Sequence, residues 1–179
     1  MHDVEASGEI IAPGTVRIER VLPGPAERLW DYLTVSEKRR LWLAAGGMEL
    51  FSSGSVELLF RHRELSPEPT PERYREFETS PPMFGEVTEC DPPRLLTYNW
   101  PGDNGASEVS FELFPEGANV RLVLTHRRLP GAEEVVSVAS GWEAHLGILE
   151  DQLSGRPPRG FWTAHARLEK QYLKKFAAL

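Results

Sequence analysis

Cysteine is almost missing from this sequence. Cys90 is the single one, so no disulfide can close within the chain and the fold must be held by packing. That suits a reducing compartment, and a cytoplasmic protein is the expectation. Long apolar runs are missing too. None approaches the roughly 20 residues that a helix needs to span a bilayer, and the acidic start at 1–13 lacks the apolar core of a secretion signal. Positive charge is scarce: 20 basic residues face 27 acidic ones, a net charge of −7. Such a chain repels phosphate backbones and anionic lipid, so neither nucleic acid nor a membrane is an expected partner. The basic runs Lys38-Arg39-Arg40, Arg127-Arg128 and Lys174-Lys175 are short and read as solvated faces.

The usual signatures of catalysis are missing as well. Ser137 and Ser140 lie in a helical stretch without a G-x-S-x-G elbow. There is no H-E-x-x-H or H-x-H pair for a metal and no glycine-rich phosphate loop; Gly46-Gly47 and Gly54 read as turn glycines. The acid pairs Glu133-Glu134 and Glu150-Asp151 fall near helix ends and read as solvated. No cofactor and no metal are expected.

What is present is a clear order of elements. Residues 1–13 read as a flexible lead. TVRIERVL (15–22) is rich in β-branched residues and reads as a strand. Pro23-Gly24-Pro25 stops it, and Pro25 opens a helix to about Leu33 with Leu29, Trp30 and Leu33 on one stripe. Ser36 suits the cap of a second short helix carrying Leu41 and Trp42. MELF (48–51) and SVELLFRH (55–62) read as a hairpin around Ser52-Ser53-Gly54. Residues 64–82 hold five prolines (67, 69, 71, 81 and 82) and many charges, and read as a long exposed loop and candidate gate. Strands follow at about 83–91, 94–100, 106–114 and 118–128, separated by Pro92-Pro93, Gly102–Gly105 and Pro115–Gly117. Short turns between them imply antiparallel pairing. A long helix spans about 132–153, with Val135, Val138, Ala139, Trp142, Leu146, Leu149 and Leu153 at helical spacing. Gly155 and Pro157-Pro158 end it. A last amphipathic helix, about 162–176, carries Trp162, Ala166, Leu173 and Phe176 on one side. Strands in a run with helices segregated at the ends make an α+β fold, and only the long helix can cover the sheet.

Three segments give this pattern a family likeness: VRIERVLPGPAERLWDYLT (16–34), EKRRLWLAAG (37–46) and GWEAHLGILEDQL (141–153). It resembles the START-like superfamily called SRPBCC, and within it the group named for the C-terminal domain of the activator of the heat-shock-protein-90 ATPase. The resemblance implies a helix-grip fold, a curved antiparallel sheet of six to seven strands around the long C-terminal helix, over about 14–155. Residues 156–179 become a helical extension. It implies no shared catalytic motif; members include hydrophobic-ligand carriers, co-chaperone domains and a few cyclases and hydrolases.

In such a fold His62, His126 and His145 could converge on one cavity. Three imidazoles are a set that a transition metal could use; polar hooks in an apolar pocket fit better, and satisfied structural histidines or surface ones stay open as the plain reading. Trp30 and Trp42 read as core, whereas Trp100 and Trp142 read as pocket walls with Tyr98 beside Trp100. The candidate pocket is therefore Phe60, His62, Phe84, Tyr98, Trp100, Leu124, His126, Trp142, His145 and Leu149. The leading expectation is a carrier of a small apolar molecule. A chaperone-binding module acting through its outer surface and a pocket enzyme of cyclase or hydrolase type stay open, as does a homodimer.

Overall fold

The alternation at 15–22 becomes a nine-residue strand with Val16, Ile18 and Leu22 buried on one face and Val21 turned to solvent. The computed structural model describes residues 6–100 and 107–177. Within them the strands are β1 (Glu9–Ala12), β2 (Thr15–Pro23), β3 (Ser55–Leu58), β4 (Met83–Asp91), β5 (Leu95–Asn99), β6 (Glu108–Glu116) and β7 (Asn119–Arg127). The helices are α1 (Ala26–Thr34), α2 (Ser36–Arg39), α3 (Gly131–Leu153) and α4 (Phe161–Phe176). The seven strands form one sheet in the order β1-β2-β7-β6-β5-β4-β3, with every pair antiparallel. The fold is α+β, a curved sheet gripping a long C-terminal helix.

Alternation fixes which face looks inward. On β7 Val120, Leu122, Leu124 and His126 are all buried, and on β6 Val109, Phe111 and Leu113 lie beside them. Across this face runs α3, burying Val135, Ala139, Trp142, Leu146, Leu149 and Leu153. Removing each such side chain from water is worth about 1.5–3 kcal/mol. Packing of α3 on the inner face of the sheet is therefore a large part of the stability.

Several local expectations fail, each for a visible reason. Part of the lead is ordered: Glu9–Ala12 pairs with β2, and Ser7 ahead of it bonds the buried Glu143 carboxylate of α3. The stretch 48–51 forms no strand and keeps only an isolated bridge, Met48 to Val56. Ser36 does not cap α2; its hydroxyl accepts the Gly46 N–H instead. Gly46 is required there, since at φ +124° a Cβ would meet the Glu57 carbonyl at 2.1 Å. Arg39 is not solvated but fully buried, its guanidinium spread over the carbonyls of Leu33, Thr34, Ala44 and Gly46. Asp151 is buried too, bonded by Arg156 and Arg159, and these bonds hold its carboxyl below the usual range against the opposing effect of burial. On α4 the buried stripe is Phe161, Leu168, Tyr172 and Phe176, while Ala166 and Leu173 face solvent. The turn expected at Gly102–Gly105 and the start of the strand at 106 lie outside the described residues, as do 1–5 of the lead.

The segment 64–82 is mostly exposed, as expected, but it is not free: it follows the 3-10 stretch His62–Glu64, holds a second one, Glu72–Thr79, and clasps α4. Leu65 and Ser66 are buried, and Ser66 Oγ accepts the Phe161 N–H at 3.1 Å. Glu68 accepts from the Thr163 N–H at 2.9 Å and from its hydroxyl. The Tyr74 ring stacks on Trp162 at 4.7 Å between centroids. Arg61 donates to the Ser80 carbonyl at 2.8 Å, which ties the two ends of the segment together.

Candidate functional site

Between the sheet, α3 and this clasp lies a cavity of about 390 Å³. Its walls carry Phe60, His62, Trp100, His126, Trp142 and His145. From α3 come Glu134, Ser137, Val138 and Gly141 as well, the i, i+3, i+4, i+7 positions of one helical face. The clasp contributes Phe77, Ser80 and Pro81, and Met83 and Leu43 complete the lining. A row of rings runs along it: Trp142 to Trp100 at 5.1 Å, Trp100 to Phe60 at 5.9 Å, Phe60 to His62 at 5.6 Å and His62 to His145 at 5.3 Å.

One end of the row is closed by hydrogen bonds. Trp142 Nε1–H donates to His126 Nδ1 at 2.9 Å. Because Nδ1 accepts, the proton of a neutral ring sits on Nε2, which donates to Ser107 Oγ at 3.0 Å. Burial pushes the His126 pKa down to about 4, which agrees with a neutral ring.

At the other end His145 Nδ1 lies 2.7 Å from the Trp42 carbonyl. A carbonyl only accepts, so Nδ1 carries the proton and Nε2 is left with its lone pair. Burial, with His62 close by, pushes His145 down to about 3 against the opposing carbonyl bond. His62 is likewise lowered to about 4, chiefly by burial and secondarily by His165. Its ring lies over Phe60 and beside Phe161 and Trp162. The His62 ring makes no hydrogen bond among the described residues. No group of three His, Cys, Asp or Glu side chains among them is placed to hold a metal ion.

A family model described as activator of Hsp90 ATPase homolog 1-like protein matches residues 23–154. The chain belongs to this family. No curated protein matches it. Among solved structures, the protein encoded by gene BPP1335 of Bordetella parapertussis is 38% identical, with a TM-score of 0.81 over 98% of this chain and 94% of that one. CalU16 from Micromonospora echinospora is 23% identical, with a TM-score of 0.66 over 92% of this chain and 87% of that one. The Aha1 dimer from Colwellia psychrerythraea is 14% identical, with a TM-score of 0.59 over 78% of this chain and 95% of that one. The last two likenesses concern the fold alone.

In this activator-homolog-like chain the expected pocket is partly assembled. Phe60, His62, Trp100, His126, Trp142 and His145 line the cavity. Tyr98, Leu124 and Leu149 do not; they are packed in the core behind it. Phe84 is wrong by one residue of strand parity. It sits opposite Glu57 on the outer face, 67% exposed, and Met83 takes the inward position. Trp30 and Trp42 are core, as expected. Gly141 and Val138 were within reach of helical spacing from Trp142 and His145. Phe77, Ser80 and Pro81 carried no such signal, because nothing in a proline-rich stretch says where it will dock. No helix among the described residues is long and apolar enough to cross a membrane.

Proposed function

We propose that this protein binds a small, mostly apolar molecule in the cavity between the sheet, α3 and the 62–82 clasp, without transforming it. The cavity itself carries this reading: about 390 Å³ lies in the range of small-molecule sites, and a ring-lined wall with a few polar edges is their usual make-up. Proton-transfer chemistry is less well supported. A general base works best with a pKa near the working pH, whereas the cavity imidazoles are held at about 4, about 4 and about 3. Chaperone binding through an outer surface would leave the cavity idle, and one variant separates the two roles.

That variant is Gly141→Leu. Gly141 lines the cavity in the middle of α3, and a Cβ there meets nothing within 4 Å. Glycine inside a helix costs about 0.5–1 kcal/mol relative to alanine, so retaining it keeps space at the expense of stability. Gly141→Leu fills the cavity while leaving unfolding stability equal or higher. The affinity for the neutral dye N-phenyl-1-naphthylamine, followed by its fluorescence, drops at least tenfold. A folded variant with unchanged dye affinity refutes the cavity as the binding site.

A further inference from the structure

The cavity histidines differ in what they leave open. His126 has both ring nitrogens bonded, to Trp142 and Ser107. His145 has Nδ1 committed to the Trp42 carbonyl, so its tautomer is fixed by the fold. Its Nε2 edge is an acceptor with no protein partner among the described residues. The ring lines the cavity and is only 6% exposed. That edge can be served by water in the cavity, so a ligand that displaces the water without replacing the bond loses affinity. His62 stands 5.3 Å away between ring centroids with neither nitrogen committed among the described residues, so it adapts to either a donor or an acceptor. The remaining polar groups of the wall, Ser80, Ser137 and Glu134, are not buried and can be served by water. The requirement that a ligand must meet therefore sits at His145.

Resting on the cavity reading above, we propose that the ligand is a planar ring compound bearing a hydroxyl, whose O–H donates to His145 Nε2. The rings of Phe60, Trp100 and Trp142 set the flat, apolar part of the site, and the His145–His62 pair reads the substituent. Two ligands of equal ring area then differ by whether they offer a proton. A site built around a buried hydrogen-bonding group discriminates strongly against analogues that lack its partner.

The probes are 2-naphthol, its methyl ether 2-methoxynaphthalene, and naphthalene, titrated into the wild-type protein at pH 7.5. The naphthol binds at least tenfold more tightly than the ether or the hydrocarbon, although it is the most water-soluble of the three. In the ¹⁵N spectrum of histidine-labelled protein, the unprotonated Nε2 resonance of His145 moves upfield with naphthol and not with the ether, while His126 stays put. Because no substitution is involved, misfolding cannot imitate the result. If all three probes bind with equal affinity, or naphthol leaves the His145 resonance unmoved, the donor requirement is overturned and the cavity reading stands. If none binds, the cavity reading falls and takes the donor requirement with it.

Discussion

At the sheet end of the cavity, Trp142, His126 and Ser107 form a closed chain of hydrogen bonds in which every ring nitrogen is used. At the clasp end, His145 has one nitrogen bonded and His62 has none among the described residues. Residue type and the direction of the pKa shifts are alike at both ends, and His145 is buried much as His126 is, so none of these separates those two. Completion of the hydrogen bonding does. The closed end belongs to the architecture, since its partners come from β7, from α3 and from the start of the β6 strand region. The open end has capacity left over, and its outer wall is a segment with no buried residue in its 72–79 stretch. Burial and a shifted pKa identify a histidine as interior; the unspent nitrogens identify which interior histidine can meet a ligand.

The comparison breaks most visibly at Trp142. Its ring is 3% exposed, packs edge-on to Trp100 and Phe111, and supplies the proton that His126 accepts. Trp142→Ala should cost about 3–5 kcal/mol in denaturant unfolding. Trp142→Phe keeps much of the ring and strands the His126 acceptor, for a cost of about 1–3 kcal/mol. A loss under 1 kcal/mol in the alanine variant would place the ring in the binding wall alone and not in the architecture.

Acid should act next. The three cavity histidines have folded pKa values of about 4, about 4 and about 3, against about 6.5 in an unfolded chain. Below pH 6.5 the unfolded state therefore binds more protons, and stability rises with pH. The full contribution is present above about pH 6.5 and is lost as pH falls from there toward 4. Each histidine adds a slope of up to about 1.4 kcal/mol per pH unit in that window. For His126 the cause is burial, and a proton on Nδ1 would in addition face the Trp142 N–H, donor against donor. Urea unfolding at pH 7, 6, 5 and 4.5 checks the slope. His126→Phe should flatten it by about one histidine's share, and an identical slope in that variant would show that the closed end does not titrate with unfolding.

Periodicity made the histidines at both ends of this cavity legible and left only the clasp over them unread. Strand alternation put His126 on the same face as Val120, Leu122 and Leu124, and helical spacing put Trp142 and His145 on the inner side of α3; both follow from backbone geometry that repeats. The sheet, the covering helix and the order of elements were readable for the same reason. The edge of the sheet was not. Sequence alone does not fix the parity of Phe84 without a partner strand, and the register with Glu57 turns it out. The stretch 48–51 alternates like a strand, yet its Gly54 turn leaves only a single bridge to β3. Arg39 reads as part of a charged face because its four carbonyl partners, two at the end of α1 and two at Ala44 and Gly46, follow no sequence pattern. The prolines and charges of the clasp announce its exposure but not its docking. Its docking depends on Tyr74, Glu68 and Ser66 meeting α4 almost a hundred residues away, a contact that no local rule carries.

The smallest expected effect on stability is at Tyr74, and it sharpens the contrast between the two ends in time instead of in energy. Tyr74 is half-buried and stacks on Trp162 at 4.7 Å, with the Arg73 to Glu169 ion pair beside it at 3.1 Å. A stacked aromatic pair adds about 0.5–1.5 kcal/mol beyond the area it buries, and an exposed ion pair adds less. Tyr74→Ala should therefore lower global stability by about 1 kcal/mol or less, since the sheet and α3 do not lean on the clasp. Local opening is different, because segments with few buried contacts open at a fraction of the global free energy. Amide exchange should speed up across 62–82 and stay unchanged in β6 and β7 around His126. If molecules enter past the clasp, stopped-flow binding of N-phenyl-1-naphthylamine should show faster association and faster dissociation together, with little change in Kd. Faster exchange in the clasp with both rate constants unaltered would mean that the ligand enters elsewhere, and the clasp would then be a wall and not a gate.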